Sequence, residues 1–194
     1  MDLVLVRHAR PIRVENTSEP ADPHLTDLGN RQAEAMAEWL AVERFDALYV
    51  SPMLRARQTA TPLEKLTGLE AGVIDGVKEY DAEEPHYIPM EDIKADPEQW
   101  RRFLAENDAA DMSTFSRVVV AALEDLIGGH RGQRIAVVCH GGVVNIWAAH
   151  VLGAQPKMFF NPDYTSISRF AAASSGERSI ISLNETAHLR SVTD

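Results

Sequence analysis

The sequence predicts an α/β fold, a three-layer α/β/α sandwich around a mostly parallel central sheet, built as one domain over residues 1–194. Three observations predict it. "LVLV" (Leu3–Val6) and the run inside "RIAVVCHGG" (134–142) are continuous apolar stretches rather than alternating ones, as strands buried on both faces are. Strand-like runs and amphipathic helices take turns along the chain, which places helical crossovers between parallel strands. With 194 residues and 45% hydrophobic content, the chain can build one substantial core. No internal repeat or low-complexity linker divides it.

The first strand covers Leu3–Val6. Thr26 is the predicted N-cap of the first helix, with Asp27 at the positive end of the helix dipole. Leu28, Ala35, Met36, Trp39 and Leu40 then recur at helical spacing. "DALYVSP" reads as a second strand closed by Pro52, and "MLRARQTATPLEKLTG" as a helix ending at Gly68 that Pro62 should kink or shorten. "AGVIDGVKEYD" is a third strand or a strand running into a loop. Residues 81–112, with three prolines and scattered aromatics, read as an irregular excursion holding one or two helices. Ser113 is the predicted N-cap of a helix carrying Phe115, Val119, Leu123 and Leu126, which Gly128 and Gly129 end. After the strand in "RIAVVCHGG" comes the helix "VVNIWAAHVLG". "TSISRFAAA" and "RSIISLNE" close the chain as a pair of strands.

Nineteen basic and twenty-nine acidic residues give a net charge of −10, which argues against nucleic acid or an anionic membrane as the main partner. The single cysteine can form no disulfide within the chain and fits a reducing cytoplasm. Neither a signal-like N-terminus nor a bilayer-length apolar run is present, so a cytoplasmic protein is expected.

Against that acidic background, the first strand runs straight into Arg7 and His8, with Arg10 and Arg13 close behind. In open α/β sheets, ligands bind beyond the carboxyl ends of the strands. Two strands end there in histidine, His8 and His140, and His140 is followed by Gly141 and Gly142 at a helix start, where free N–H groups favour an anion. A single strand-end histidine is more often structural; two at equivalent ends, one beside arginine and one beside a glycine pair, point to a site. Arg55 and Arg57 follow the second strand, and two residues apart on a helix they face different ways, so one of them turns to the strand ends. Five residues on from Cys139 stands Asn145, not the arginine of a cysteine phosphatase loop, so Cys139 reads as a buried thiol. Histidine and carboxylate spacings typical of metal sites are missing. His24, His86, His130, His150 and His188 lack an anion-binding context and read as structural or surface residues.

"LVLVRHA", "HLTDLGNRQAEAMAEWL", "LYVSPMLRARQTA", "VVCHGGVVNI" and "LNETAHL", in that order, resemble the histidine phosphatase superfamily in its phosphoglycerate mutase-like branch. Ala9 stands where the family usually has glycine, and "KEYDAEEPHY" lacks the glycines usual after the family's acidic residue. The resemblance implies a metal-independent phosphomonoester hydrolase acting through a phosphohistidine, with a mutase or an inactive phospho-ligand sensor as alternatives. It implies His8 as nucleophile, Arg7, Arg55 and His140 on the phosphoryl oxygens, and Glu79 as general acid, with Glu83 and Glu84 as alternatives. Arg7, Arg10, Arg13, Asn16, Arg55 and Gly141 are the implied substrate-binding residues. No metal or organic cofactor is implied, the partner is a small phosphorylated substrate, and a homodimer stays open. Residues 80–112 would roof the site, with Tyr80, Tyr87 and Trp100 either stacking on substrate or anchoring the roof to the core. Ten acidic residues there face only Lys94, Arg101 and Arg102.

Overall fold

The computed structural model describes residues 1–192, apart from the side chains of residues 107–109, so Asp108 of the acidic roof lies outside the described side chains. The strands are β1 (Asp2–Arg7), β2 (Ala47–Val50), β3 (Ala71–Val73), β4 (Arg134–Cys139), β5 (Ile167–Ala172) and β6 (Arg178–Glu185). They form one sheet in the order β3-β2-β4-β1-β5-β6. β3, β2, β4 and β1 run parallel, and the closing pair adds antiparallel strands at one edge. The predicted three-layer sandwich is the observed one.

The helices are α1 (Asp27–Ala41), α2 (Leu54–Thr67), α3 (Met90–Ala95), α4 (Pro97–Ala109), α5 (Ser113–Gly129) and α6 (Gly141–Leu152). Successive side chains of β1 leave opposite faces of the sheet. Val4 and Val6 pack with Met36 and Leu40 of α1 and Ala60 and Leu63 of α2. Leu3 and Leu5 pack with Val119 and Leu123 of α5 and Trp147 of α6. Both faces of β1 are covered, which is why its sequence is apolar throughout. The same holds for β4, whose Ala136 and Val138 join one layer and Ile135 and Val137 the other.

Local signals set most boundaries. The Thr26 side chain accepts the Gly29 N–H, capping α1 as expected. α2 runs through Pro62 and ends at Gly68, whose φ of 72° is the left-handed turn glycine allows. Ser113 is the first residue of α5 rather than its cap: the Asp111 carboxylate accepts the Ser113 N–H at 2.9 Å, and a charged acceptor is the stronger partner. β3 is only three residues long and passes into a 3-10 turn at Asp75–Val77, so "AGVIDGVKEYD" is a strand running into a loop.

One close approach fixes the chain after β1. The Arg10 carbonyl accepts from the Thr26 backbone N–H at 2.9 Å and the Thr26 hydroxyl at 3.1 Å, over the first turn of α1. A Cβ on Gly29 would lie 2.1 Å from that carbonyl oxygen, and backbone cannot yield as a flexible side chain can. Gly29→Ala is expected to destabilise the fold by about 1–3 kcal/mol, the usual cost of overpacking, measured as a lower urea midpoint with an unchanged m-value.

Candidate active site

The carboxyl ends of β1 and β4 are neighbours in register, Arg7 opposite Cys139, so His8 and His140 leave adjacent strands at one edge. Their ring centroids are 5.1 Å apart and both side chains are buried. The His8 N–H bonds the Cys139 carbonyl at 2.9 Å. His8 Nδ1 lies 2.8 Å from the Ala9 carbonyl, which can only accept, so Nδ1 carries the proton and Nε2 the lone pair. The Ala9 N–H in turn bonds Thr59 Oγ1 at 2.9 Å, tying this turn to α2. Burial, with Arg55, His140 and Arg7 alongside, holds the His8 imidazole well below its ordinary pKa and therefore neutral.

Two arginines flank the pair. Arg55 is 1% exposed, and its guanidinium sits 4.9 Å from the Tyr87 ring centroid. Its carboxylate neighbours, Asp22 and Asp81, stand off at 3.9 Å. Asp22 is held there by accepting the Leu54 N–H at the start of α2. Arg57 is on the exposed face of the same helix. Arg7 donates from Nη1 to the Pro162 carbonyl and lies 4.2 Å from the Tyr164 ring centroid. His140 Nε2 meets the Ser51 hydroxyl at 2.8 Å; burial and the two arginines keep its imidazole neutral.

Three arginine N–H positions and one imidazole nitrogen at this edge have no hydrogen-bond partner among the described residues: Arg7 Nε, Arg55 Nε, Arg55 Nη1 and His140 Nδ1. If Ser51 donates to His140 Nε2, then Nδ1 is a donor too. Buried donors are almost always paired in folded proteins, so four orphans around one imidazole call for an anionic ligand rich in oxygen.

Glu79 faces them across a cavity of about 880 Å³ that Arg7, His8, Arg55 and Gly141 also line. Its carboxylate accepts the Gly142 N–H at 2.9 Å and the Tyr80 N–H at 3.0 Å. Burial and the neighbouring Asp81 carboxylate push its pKa up to about 7, against the pull of those two N–H groups and Arg55. A carboxyl that is part acid and part base at neutral pH can give and take protons. Glu84 also lines the cavity but is exposed, as is Glu83.

His8, His140, Arg7, Arg55, Glu79 and Gly141 thus come together. Arg10, Arg13 and Asn16 do not. Arg13 is exposed and pairs with Glu15 at 2.6 Å and Asp92 at 3.3 Å; with Arg10 it lines a separate shallow pocket. Asn16 occupies an exposed loop with φ 56°. Sequence reasoning also missed residues that the structure puts to use. Asn145, seen there only as a missing arginine, accepts the Phe159 and Phe160 N–H groups at 2.9 and 3.2 Å. It donates to the Gly141 and Phe160 carbonyls, both at 2.9 Å. Ser51 and Tyr164 gave no signal beyond standing at strand ends. Cys139 is buried, and burial pushes its thiol up, which suits an inert packing role. Among the described residues, no group of three or more His, Cys, Asp or Glu side chains is placed to hold a metal ion. No described helix is long and apolar enough to cross a membrane.

Residues 3–186 match the family model described as the histidine phosphatase superfamily (branch 1). The chain belongs to that superfamily. Among histidine phosphatases and their relatives, it is 28% identical to phosphoserine phosphatase 1 of Hydrogenobacter thermophilus, over 96% of this chain and 93% of that one. It is 27% identical to a metal-independent phosphoserine phosphatase of Arabidopsis thaliana, over 74% of this chain and 65% of that one. A solved phosphoserine phosphatase from Entamoeba histolytica, in complex with phosphoserine, superimposes with a TM-score of 0.75 at 25% identity, covering 97% of this chain and 98% of that one. This histidine phosphatase is accordingly an enzyme of phosphomonoester hydrolysis acting through a phosphohistidine.

Proposed function

We propose that His8 is the nucleophile, Glu79 the general acid and base, and Arg7, Arg55 and His140 the clamp on the transferring group of a small phosphorylated substrate. The four orphaned donors around His8 carry this reading. The neutral His8 Nε2 attacks phosphorus in line, forming the N–P bond as the ester P–O bond breaks. The departing oxygen takes the proton of the Glu79 carboxyl. Glu79, now a carboxylate, takes a proton from the water that attacks the phosphohistidine, which releases inorganic phosphate and restores both residues. The arginine and His140 donors, all on buried side chains, meet the equatorial oxygens and stabilise their charge. The Ala9 carbonyl keeps the proton on Nδ1 throughout. A reducing cytoplasm is the setting that the single buried thiol suits.

Hydrolysis rather than mutase transfer follows from the roof. A mutase must close off its phosphohistidine from water and hold a second anionic group. Here α3 has no buried residue, and the cavity cations Lys94 and Arg102 are matched by Glu84 and Glu106. Given 3-phosphoglycerate and a bisphosphate primer, the enzyme is expected to release phosphate with little 2-phosphoglycerate, and to do so undiminished in EDTA. Mutase turnover above hydrolysis, or a loss in EDTA that a divalent cation restores, would overturn this reading.

A further inference from the structure

The phosphate-handling end accounts for only part of the cavity. At about 880 Å³ it lies toward the upper end of the roughly 300–1,000 Å³ that hold drug-sized ligands. Its far wall is α3 and α4. Met90 and Ile93 of α3, and Gln99, Phe103 and Glu106 of α4, recur at helical spacing, so one face of each helix turns to the cavity. Among the described residues, no side chain of α3 or α4 is fully buried, and Leu104 is 47% exposed. Two aromatic pairs from different elements line the same space. Trp100 and Phe103 stack on α4 with centroids 5.6 Å apart and planes 15° from parallel. Phe159 and Phe160 lie 5.1 Å apart on the segment after α6, where Asn145 fixes their backbone, and Phe159 remains 44% exposed. Apart from Arg7, Arg55, Glu79 and Asp81 at the phosphate end, the charged lining balances, Lys94 and Arg102 against Glu84 and Glu106.

We propose that this enzyme acts on phosphomonoesters whose alcohol half is large, uncharged and aromatic, seated on the Trp100–Phe103 and Phe159–Phe160 pairs. The inference rests on the hydrolysis reading above. Planar apolar rings gain most from offset stacking on such pairs and from burial of their own surface. A seryl group, small and doubly charged, would leave most of this wall uncovered. The aromatic residues therefore select the alcohol half, and the arginines and histidines hold the phosphoryl group.

The test compares ethyl phosphate, 2-(2-naphthyl)ethyl phosphate and O-phosphoserine, all esters of alkyl alcohols, so that no activated leaving group distorts the comparison. By phosphate release, kcat/KM for the naphthylethyl ester is expected to exceed that for ethyl phosphate by about 10- to 100-fold, the factor for burying one large apolar group. It is expected to exceed that for phosphoserine as well. Trp100→Ala and Phe159→Ala should each cut the naphthylethyl-to-ethyl ratio at least about fivefold, while Trp100→Phe keeps most of it. A wild-type ratio near one, a preference for phosphoserine, or a ratio that survives both alanine variants overturns the proposal. If ethyl phosphate is hydrolysed with no preference, only the specificity inference fails; if no ester is hydrolysed, the hydrolysis reading fails and takes the inference with it.

Discussion

Quenched into alkali during turnover, the wild-type enzyme is expected to carry an acid-labile phosphate on His8, and His8→Ala to carry none and to turn over no substrate. The expectation follows from the tautomer. With Nδ1–H given to the Ala9 carbonyl and the ring held neutral, Nε2 is the one lone pair at this edge that needs no deprotonation before it attacks. His140 lies 5.1 Å away, but its Nε2 is already engaged by Ser51. The loss on replacing a covalent nucleophile is on the order of 10⁴-fold or more, as in other catalytic units that act together. Mass-spectrometric mapping of the labelled peptide decides the matter: phosphate found on His140, or a His8→Ala enzyme that still turns over, would reverse the assignment.

The second large effect concerns Glu79. Because its proton leaves with a pKa of about 7, kcat/KM on alkyl phosphates should fall as pH rises through that value. Lowering the pH through the same range should not silence His8, whose own pKa lies well below the ordinary value. Glu79→Gln is expected to remove the limb near pH 7 and to slow alkyl esters by about 10²–10⁴-fold, the usual worth of a general acid. Nitrophenyl phosphate, whose leaving group needs little protonation, should lose much less in the transfer step. Gly142→Ala supplies the same result by another route. Its Cβ would fall 2.1 Å from Glu79 Oε1, so the flexible carboxylate must swing out of place while the fold holds. An unaltered pH profile in both variants, or a greater loss in Glu83→Gln or Glu84→Gln, would move the role elsewhere.

Much of the architecture could be read from the chain because its signals are local. The double-sided burial of β1 and β4 needs uninterrupted apolar residues, and the Thr26 cap and Gly68 turn act within one helical turn. Strand-end histidines on adjacent parallel strands were legible for the same reason. The clamp was only half legible. Arg13 shares the cluster after β1 with Arg7, but it is drawn off by Glu15, two residues on, and by Asp92, seventy-nine residues on, and no local pattern encodes the second pairing. Gly142 resembles any helix-start glycine until Glu79, from the other end of the chain's middle third, is laid against it. Ser113 misled because the nearer competitor, Asp111, is charged. Pro62 does not shorten α2, although a proline costs an interior helix bond: Ala60 and Leu63 on either side pack into the core.

The segment after α6 does two things at once. Its Phe159 and Phe160 line the wide end of the cavity, and its Pro162 carbonyl holds Arg7 over the reacting end. One side chain, Asn145, pins the segment through three hydrogen bonds. A leaving group that presses on the phenyl rings therefore presses on the support of the guanidinium. The two halves of a substrate are not weighed separately, and remote attraction is available to lower the barrier itself rather than only to tighten the encounter. Enlarging the alcohol should then accelerate the bound complex, so that the gain falls on kcat at least as much as on KM. Truncating it should leave an ester that saturates the enzyme and turns over slowly.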